Sequence, residues 1–239
     1  MEEIFEQTPF KMDKAMTSNL HPSFEKYRCW VFDCDGVLLN SNTIKTQAFH
    51  DVIMPLFGRN AADQLVAYHL EHGGISRFIK MQHLFTGILG REPKAGELDH
   101  VLDQFAQAVK SRLLNCEEAP RLRDVLEAVN ANGSAFVVSG GMQDELRDIF
   151  QTRGLDTYFT AIFGSPDSKD KILARERQSG AMATPAVFIG DARYDFEVAN
   201  QFNFDFVFAS AWSEFSDWNA FFETKPVHIV SSLENLLVS

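Results

Sequence analysis

Cysteine is scarce in this chain, and so are tyrosine and tryptophan: 3, 4 and 3 residues of 239. The thiols Cys29, Cys34 and Cys116 form an odd, scattered set without C-x-x-C spacing, which excludes a disulfide framework and a zinc cluster built on cysteine. A reducing cytoplasm is the compartment this usage suits. Basic residues are also short, 22 against 33 acidic ones, for a formal charge of −11. A phosphate backbone requires a basic surface, so nucleic acid is not expected as a partner. No apolar run approaches the roughly 18 residues of a membrane span, and no membrane association is expected. Residues 1–23 mix acids and lysines without an apolar h-region, so they read as an arm with weak helical character rather than a signal peptide. What is abundant is phenylalanine, 22 residues, within a hydrophobic fraction of 45%. That excess is read as core filling.

The organising stretch is Cys29-Trp-Val-Phe-Asp-Cys-Asp-Gly-Val-Leu-Leu-Asn-Ser41. A short apolar run ends in two carboxylates, Asp33 and Asp35, and then Gly36. Such a run bounded by a glycine turn reads as a buried strand. Open α/β sheets place their ligands at the carboxyl ends of strands, where Asp33 would lie. Strand alternation starts Asp33 and Asp35 on one side. Two carboxylates there would repel each other and resist desolvation. A divalent cation would relieve both problems, and hard oxygen ligands favour magnesium over zinc.

Downstream, the periodicity predicts a helical block over 43–120, with helices at 43–57, 61–72, 75–89 and 96–114. Breaks fall at Gly58, Gly73-Gly74, Gly90 and Pro93. A block this long cannot serve as one crossover, so a separate lobe is expected. From Pro120 the texture alternates. Strands are predicted at 27–33, 135–138, 161–163, 186–189, 206–209 and 228–230, with helices at 121–131, 144–153, 170–178, 194–201 and 233–237. The expected fold is α/β, a doubly wound parallel sheet with an inserted α-helical cap. The expected division is a discontinuous core of 24–42 and 121–239, a cap of 43–120 and an arm of 1–23.

Three strands end in small polar groups: Asp33-Cys-Asp35-Gly36, Ser139-Gly140-Gly141, and Gly190-Asp191 with Asp195 four residues on. A loop carrying Lys169 and Lys171 lies between the last two. Each alone has a plain structural reading: an Asx turn, a serine-capped loop, a solvated lysine, a helix cap. Their order and spacing together resemble the haloacid dehalogenase superfamily over about residues 27–210. The likeness is to the branch of phosphoglycolate phosphatase and β-phosphoglucomutase, which inserts a helical cap after the first motif.

That resemblance implies a role for each matching residue. Asp33 is the nucleophile that forms an aspartyl phosphate. Asp35 is the general acid and then the base, and its backbone carbonyl contacts magnesium. Ser139 and the amide of Gly140 hold the phosphoryl oxygens. Lys169 neutralises the phosphoryl charge, with Lys171 as the alternative. Asp191 is a metal ligand, and Asp195 orients the metal shell or binds through water. The family often has an acid before the first-motif serine; here the pair is Asn40-Ser41. In the cap, His72-Gly-Gly-Ile-Ser-Arg77 resembles the cap loop of this branch. Arg77 is the leading substrate contact, since guanidinium suits carboxylate or phosphate, and Lys80 is placed to assist. His69 and His72 lack a third ligand for a metal.

The implied function is a magnesium-dependent phosphomonoesterase acting on a small phosphorylated metabolite, as monomer or homodimer. A sugar-phosphate mutase is the alternative. Carbon–halogen hydrolysis, phosphonate cleavage through a cap lysine, and a catalytically silent regulatory module are weaker rivals.

Overall fold

The computed structural model describes residues 19–238. The arm assigned to residues 1–23 therefore lies mostly outside the described residues. Its last part is tied down: Leu20 bridges to Leu237, and a 3-10 turn, Pro22–Phe24, buries Phe24.

Six strands form one parallel sheet: β1 (Cys29–Phe32), β2 (Ser134–Met142), β3 (Ala161–Ser165), β4 (Ala186–Gly190), β5 (Asp205–Ala209) and β6 (His228–Val230). The order is β3-β2-β1-β4-β5-β6, so β1 is central. Its four residues are all buried, as a strand covered on both faces requires. Alternation divides the sheet residues between two layers. Trp30, Phe32, Val137, Val187, Ile189 and Val207 join one core cluster; Val31, Phe136, Val138, Phe188, Phe206 and Phe208 join the other. The phenylalanine excess is spent there. Phe196, Phe206, Phe208, Phe215, Phe221 and Phe222 form one edge-to-face network on the second side.

Nine helices complete the described residues: α1 (Asn42–Phe57), α2 (Arg59–Glu71), α3 (Arg77–His83), α4 (Glu97–Asn115), α5 (Leu122–Asn132), α6 (Gln143–Thr152), α7 (Lys169–Gln178), α8 (Arg193–Gln201) and α9 (Trp218–Phe222). The first four lie between β1 and the rest of the sheet in sequence and pack mainly on one another, α1 against α2 and α4, α3 against α4. α4 also meets α6. Chain order crosses from β3 over the sheet to β4, so the switch point lies between β1 and β4, where ligands bind in such folds.

Some predicted elements change in detail. The helix expected over 75–89 begins later, at Arg77, because Ser76 caps it by accepting from the Phe78 amide at 3.2 Å. It then widens into a π turn, Leu84–Ile88. Gly87 lets the His83 ring lie against it; a Cβ there would fall 2.3 Å from that ring. β2 runs past Val138 to Met142, with a register shift against β3 between the two. The helix expected at 233–237 is a 3-10 turn, Leu233–Leu236, and α9 was not foreseen. Its aromatic run has no helical spacing.

Candidate active site

The carboxyl ends of β1, β2 and β4, the start of α8, and helices α1 to α4 converge on a cavity of about 340 Å³. Asp33, at the end of β1, donates its backbone N–H to the Ile189 carbonyl at 2.9 Å, which fixes it beside β4. Its Oδ1 accepts from the Cys34 amide at 2.7 Å. Its Oδ2 lies 3.0 Å from Lys169 Nζ. Lys169 opens α7, is 1% exposed, and also donates to Asp195 Oδ1 at 2.5 Å. Lys171 is exposed, so of the two lysines only Lys169 reaches these carboxylates. Asp195, in the first turn of α8, accepts the Ala192 amide on its other oxygen at 3.2 Å.

Asp191 follows β4 and accepts from Asn42 Nδ2 at 2.6 Å. Asp33, Asp191 and Asp195 each offer one oxygen, all within 4.8 Å of one another, and all three residues are buried. Lys169 is the cation bridging two of them. Burial pushes Asp33 up to about 7 even though Lys169 pulls it down. Burial, with Asp33 and Asp195 alongside, pushes Asp191 well above the usual carboxylate range. Burial works against the charge on Lys169, but Asp195 and Asp33 outweigh it and hold the ammonium above its ordinary value. Three carboxyl groups face one ammonium, so without a further cation two of them are driven toward the neutral form. Its all-oxygen donor set suits a hard divalent cation such as magnesium.

Asp35 is turned to a different set of partners. Its Oδ1 accepts from Ser41 Oγ at 2.6 Å, and its Oδ2 from Lys45 Nζ. Burial raises this carboxyl, but Lys45 and Ser41 prevail and hold it below the usual range. Ser41 is thus committed to Asp35, and α1 starts there, with the Lys45 amide bonded to the Ser41 carbonyl. Gly36, between the two aspartates and α1, sits at φ +73°; a Cβ there would fall 2.2 Å from Asp191 Oδ2. Only glycine fits this crossing.

Ser139 is fully buried, and its Oγ accepts from the Gly141 amide at 3.1 Å. Gly140 lies under the 73–77 loop: a Cβ there would stand 2.7 Å from the Gly74 carbonyl oxygen and 2.9 Å from that of Ile75. Ser76 Oγ accepts from Ser165 Oγ at 2.6 Å, closing the same seam. Arg77, expected to face a substrate, lines the cavity but pairs with Glu145 on α6, its guanidinium 5.2 Å from the Phe105 ring centre. His69 and His72 do not join a metal group: His69 contacts Thr46 and Lys80, and His72 stacks on Tyr68.

The sequence matches the haloacid dehalogenase-like hydrolase family over residues 30–209. The chain belongs to that family. No curated protein matches it. Among solved structures, the chain is similar to a Pseudomonas syringae hydrolase (TM-score 0.70, 18% identity, covering 87% of this chain and 95% of that one). A Lactobacillus plantarum protein provisionally assigned as a phosphoglycolate phosphatase follows (TM-score 0.64, 20% identity, 87% and 96%). A Clostridium difficile β-phosphoglucomutase is comparable (TM-score 0.68, 15% identity, 87% and 92%). These identities speak for a shared Rossmann-like fold. Within it, sequence reasoning does not identify Asn42, Lys45, Thr46 or Glu214 as lining or supporting the cavity. Lys45 follows Ser41 by four residues at the start of the helix predicted over 43–57, a spacing that brings its side chain back over Ser41; Asn42 precedes that predicted helix.

Proposed function

We propose that this hydrolase is a magnesium-dependent phosphomonoesterase that works through an aspartyl phosphate on Asp33 and acts on a small phosphorylated metabolite. The observation that carries this reading is the meeting of Asp33, Lys169, Asp191 and Asp195 beside a cavity that Asp35 and Gly140 also line. Asp33, Asp191, Asp195 and the backbone carbonyl of Asp35 would hold the cation, which would supply positive charge against the phosphoryl oxygens.

The remaining chemistry belongs to side chains. Asp33 attacks phosphorus as the leaving oxygen departs, and Asp35 gives that oxygen its proton. Asp35 then takes a proton from water as the water attacks phosphorus and frees Asp33. Lys45 and Ser41 favour the base form of Asp35, so Asp35 must loosen from Lys45 as it takes up the proton it donates. Lys169 offsets charge on Asp33 and on the transferring group; Ser139 and the Gly140 amide bind its oxygens.

Helices α1 to α4 would form the cap that encloses the substrate and excludes water. Its division from the core at residues 43 and 120 is part of this reading. So are the cytoplasm as the site of action, supported by three unpaired thiols, and a monomeric or homodimeric state. Among the described residues no helix is long and apolar enough to cross a membrane.

Hydrolysis of p-nitrophenyl phosphate tests the proposal. Turnover should require magnesium, stop on addition of EDTA, and vanish in Asp33→Asn. Turnover that survives Asp33→Asn overturns it. Interconversion of hexose 1- and 6-phosphates would move the assignment to a mutase.

A further inference from the structure

Two cationic side chains of α3 line the cavity, Arg77 and Lys80, one helical turn apart and both buried. Arg77 is already matched by the Glu145 carboxylate. Lys80 is not. Among the described residues its hydrogen-bond partner is an imidazole, His69 Nδ1, at 2.6 Å, with the Phe49 ring centre 5.8 Å away.

The direction of that bond follows from a chain of contacts behind it. Thr46 Oγ1 donates to the Glu214 carboxylate at 2.8 Å. A hydroxyl has one proton, so Thr46 accepts on its other side, from His69 Nε2 at 3.0 Å. With its proton on Nε2, His69 presents a lone pair at Nδ1, and Lys80 is the donor. The tautomer is thus set by the network. An ammonium has three donors and this contact uses one. The others are left for the cavity that Lys80 lines.

We propose that Lys80 is a specificity-determining residue that binds a carboxylate on the substrate, at the opposite end from the phosphoryl group, and that His69, Thr46 and Glu214 are positioning residues for it. The inference rests on the phosphatase reading and narrows its substrate class to carboxylate-bearing phosphate esters. A buried ammonium with no carboxylate in direct contact is costly, and a carboxylate brought by the ligand reduces that cost, where a hydroxyl would only share a hydrogen bond. Burial, and then Lys45, bring Lys80 down to about 7; Asp35 and Glu214 pull the other way but neither forms an ion pair with it. Burial and the Lys80 charge lower His69 to about 2, so the imidazole stays neutral and adds no competing charge.

The test compares 2-phosphoglycolate with 2-hydroxyethyl phosphate, near-isosteres that differ in the carboxylate. With magnesium, the unaltered protein should prefer the carboxylate ester in kcat/KM by between about tenfold and a hundredfold, the range of a hydrogen bond to a charged group. Lys80→Met should bring the ratio near one, and Lys80→Arg should restore part of it. Thr46→Val and Glu214→Gln keep the ammonium but release the imidazole; they should raise KM for the carboxylate ester more than they lower kcat. Calorimetric binding of the same two compounds to the Asp33→Asn protein gives a readout without turnover. Equal affinity for the two, or no binding of either, overturns the Lys80 assignment. Selective binding of the carboxylate compound with no hydrolysis of any ester by the unaltered protein overturns the phosphatase reading instead and leaves the Lys80 assignment standing.

Discussion

Replacing Lys169 by methionine should harm this protein twice, and the two harms can be measured separately. The side chain is 1% exposed, with its ammonium 2.5 Å from one carboxylate and 3.0 Å from another, in a cluster that also holds Asp191. Methionine keeps most of the length and removes the charge. Removing one partner of a buried pair costs about 3–5 kcal/mol, because the remaining charge is left uncompensated. The sign with pH follows from Asp33, which burial has pushed up to about 7 from an ordinary value near 3.8. Lys169 pulls that value down, so without it Asp33 stays neutral to still higher pH; where Asp33 is neutral it has little need of the lysine, and where it ionises it is left unpaired. The deficit of Lys169→Met should therefore be smaller near pH 5 and grow as the pH rises through 7 and beyond, and magnesium should restore part of it by mass action. Urea denaturation in EDTA at the two pH values, repeated with magnesium, reads this out. Lys171→Met is the control: that residue is exposed, and the change should stay within about 0.5 kcal/mol. In turnover, Lys169→Met should lose about a hundredfold to a thousandfold, as for loss of a charge-stabilising donor, and Lys171→Met little. Near-equal stabilities of the two variants at pH 8 in EDTA, or a greater loss of activity in Lys171→Met, would refute the reasoning.

Gly140→Ala would drive a methyl group into the carbonyl oxygens of Gly74 and Ile75. Overpacking of that kind costs about 1–3 kcal/mol, and the 73–77 loop should lift, so kcat/KM should fall further than the denaturation midpoint implies. Gly36→Ala combines a left-handed backbone with a clash at Asp191; magnesium-induced stabilisation should be lost, and midpoints with magnesium and with EDTA should coincide. The preference for a carboxylate ester should decline with pH. Lys80, lowered to about 7, is charged below that value and neutral above it, so the kcat/KM ratio of the two esters should fall between about pH 6 and pH 8.5. Of the groups facing Lys80, His69 on α2 stays neutral, Asp35 is held charged by its pair with Lys45 on α1, burial raises Glu214 in the loop after β5, and Lys169 at the start of α7 is held charged by its carboxylates; Asp33, also near 7, serves both esters alike and cancels from the ratio. A flat ratio would remove Lys80 from the selection.

The sheet and the acids at its strand ends were legible in the sequence because both are local. The run from Trp30 to Phe32 can only be buried, and carboxylates at strand ends reach one rim once the strands are parallel. Lys169 could be preferred to Lys171 from its motif, but its burial and its second partner, Asp195, are matters of folding. The surroundings of Lys80 were not legible. Thr46, His69 and Glu214 lie on two helices and a loop far apart in the chain, and each residue type alone is an ordinary surface residue. Arg77 illustrates the converse: its chemistry pointed to an anion, and the fold supplies one from Glu145. Helix limits slipped where a cap or a widened turn, as at Ser76 and Leu84, was decided by one side chain.

Helix α1 has a consequence for engineering. Asn42 and Lys45 hold the aspartates of the sheet, while Thr46 and Phe49, on the next turn, brace His69 and contact Lys80. A transplant of α2 to α4 onto another scaffold would arrive without the beam that ties chooser to chemistry. The smallest portable cassette should begin at Ser41, and any variant that rotates this beam should alter rate and preference together.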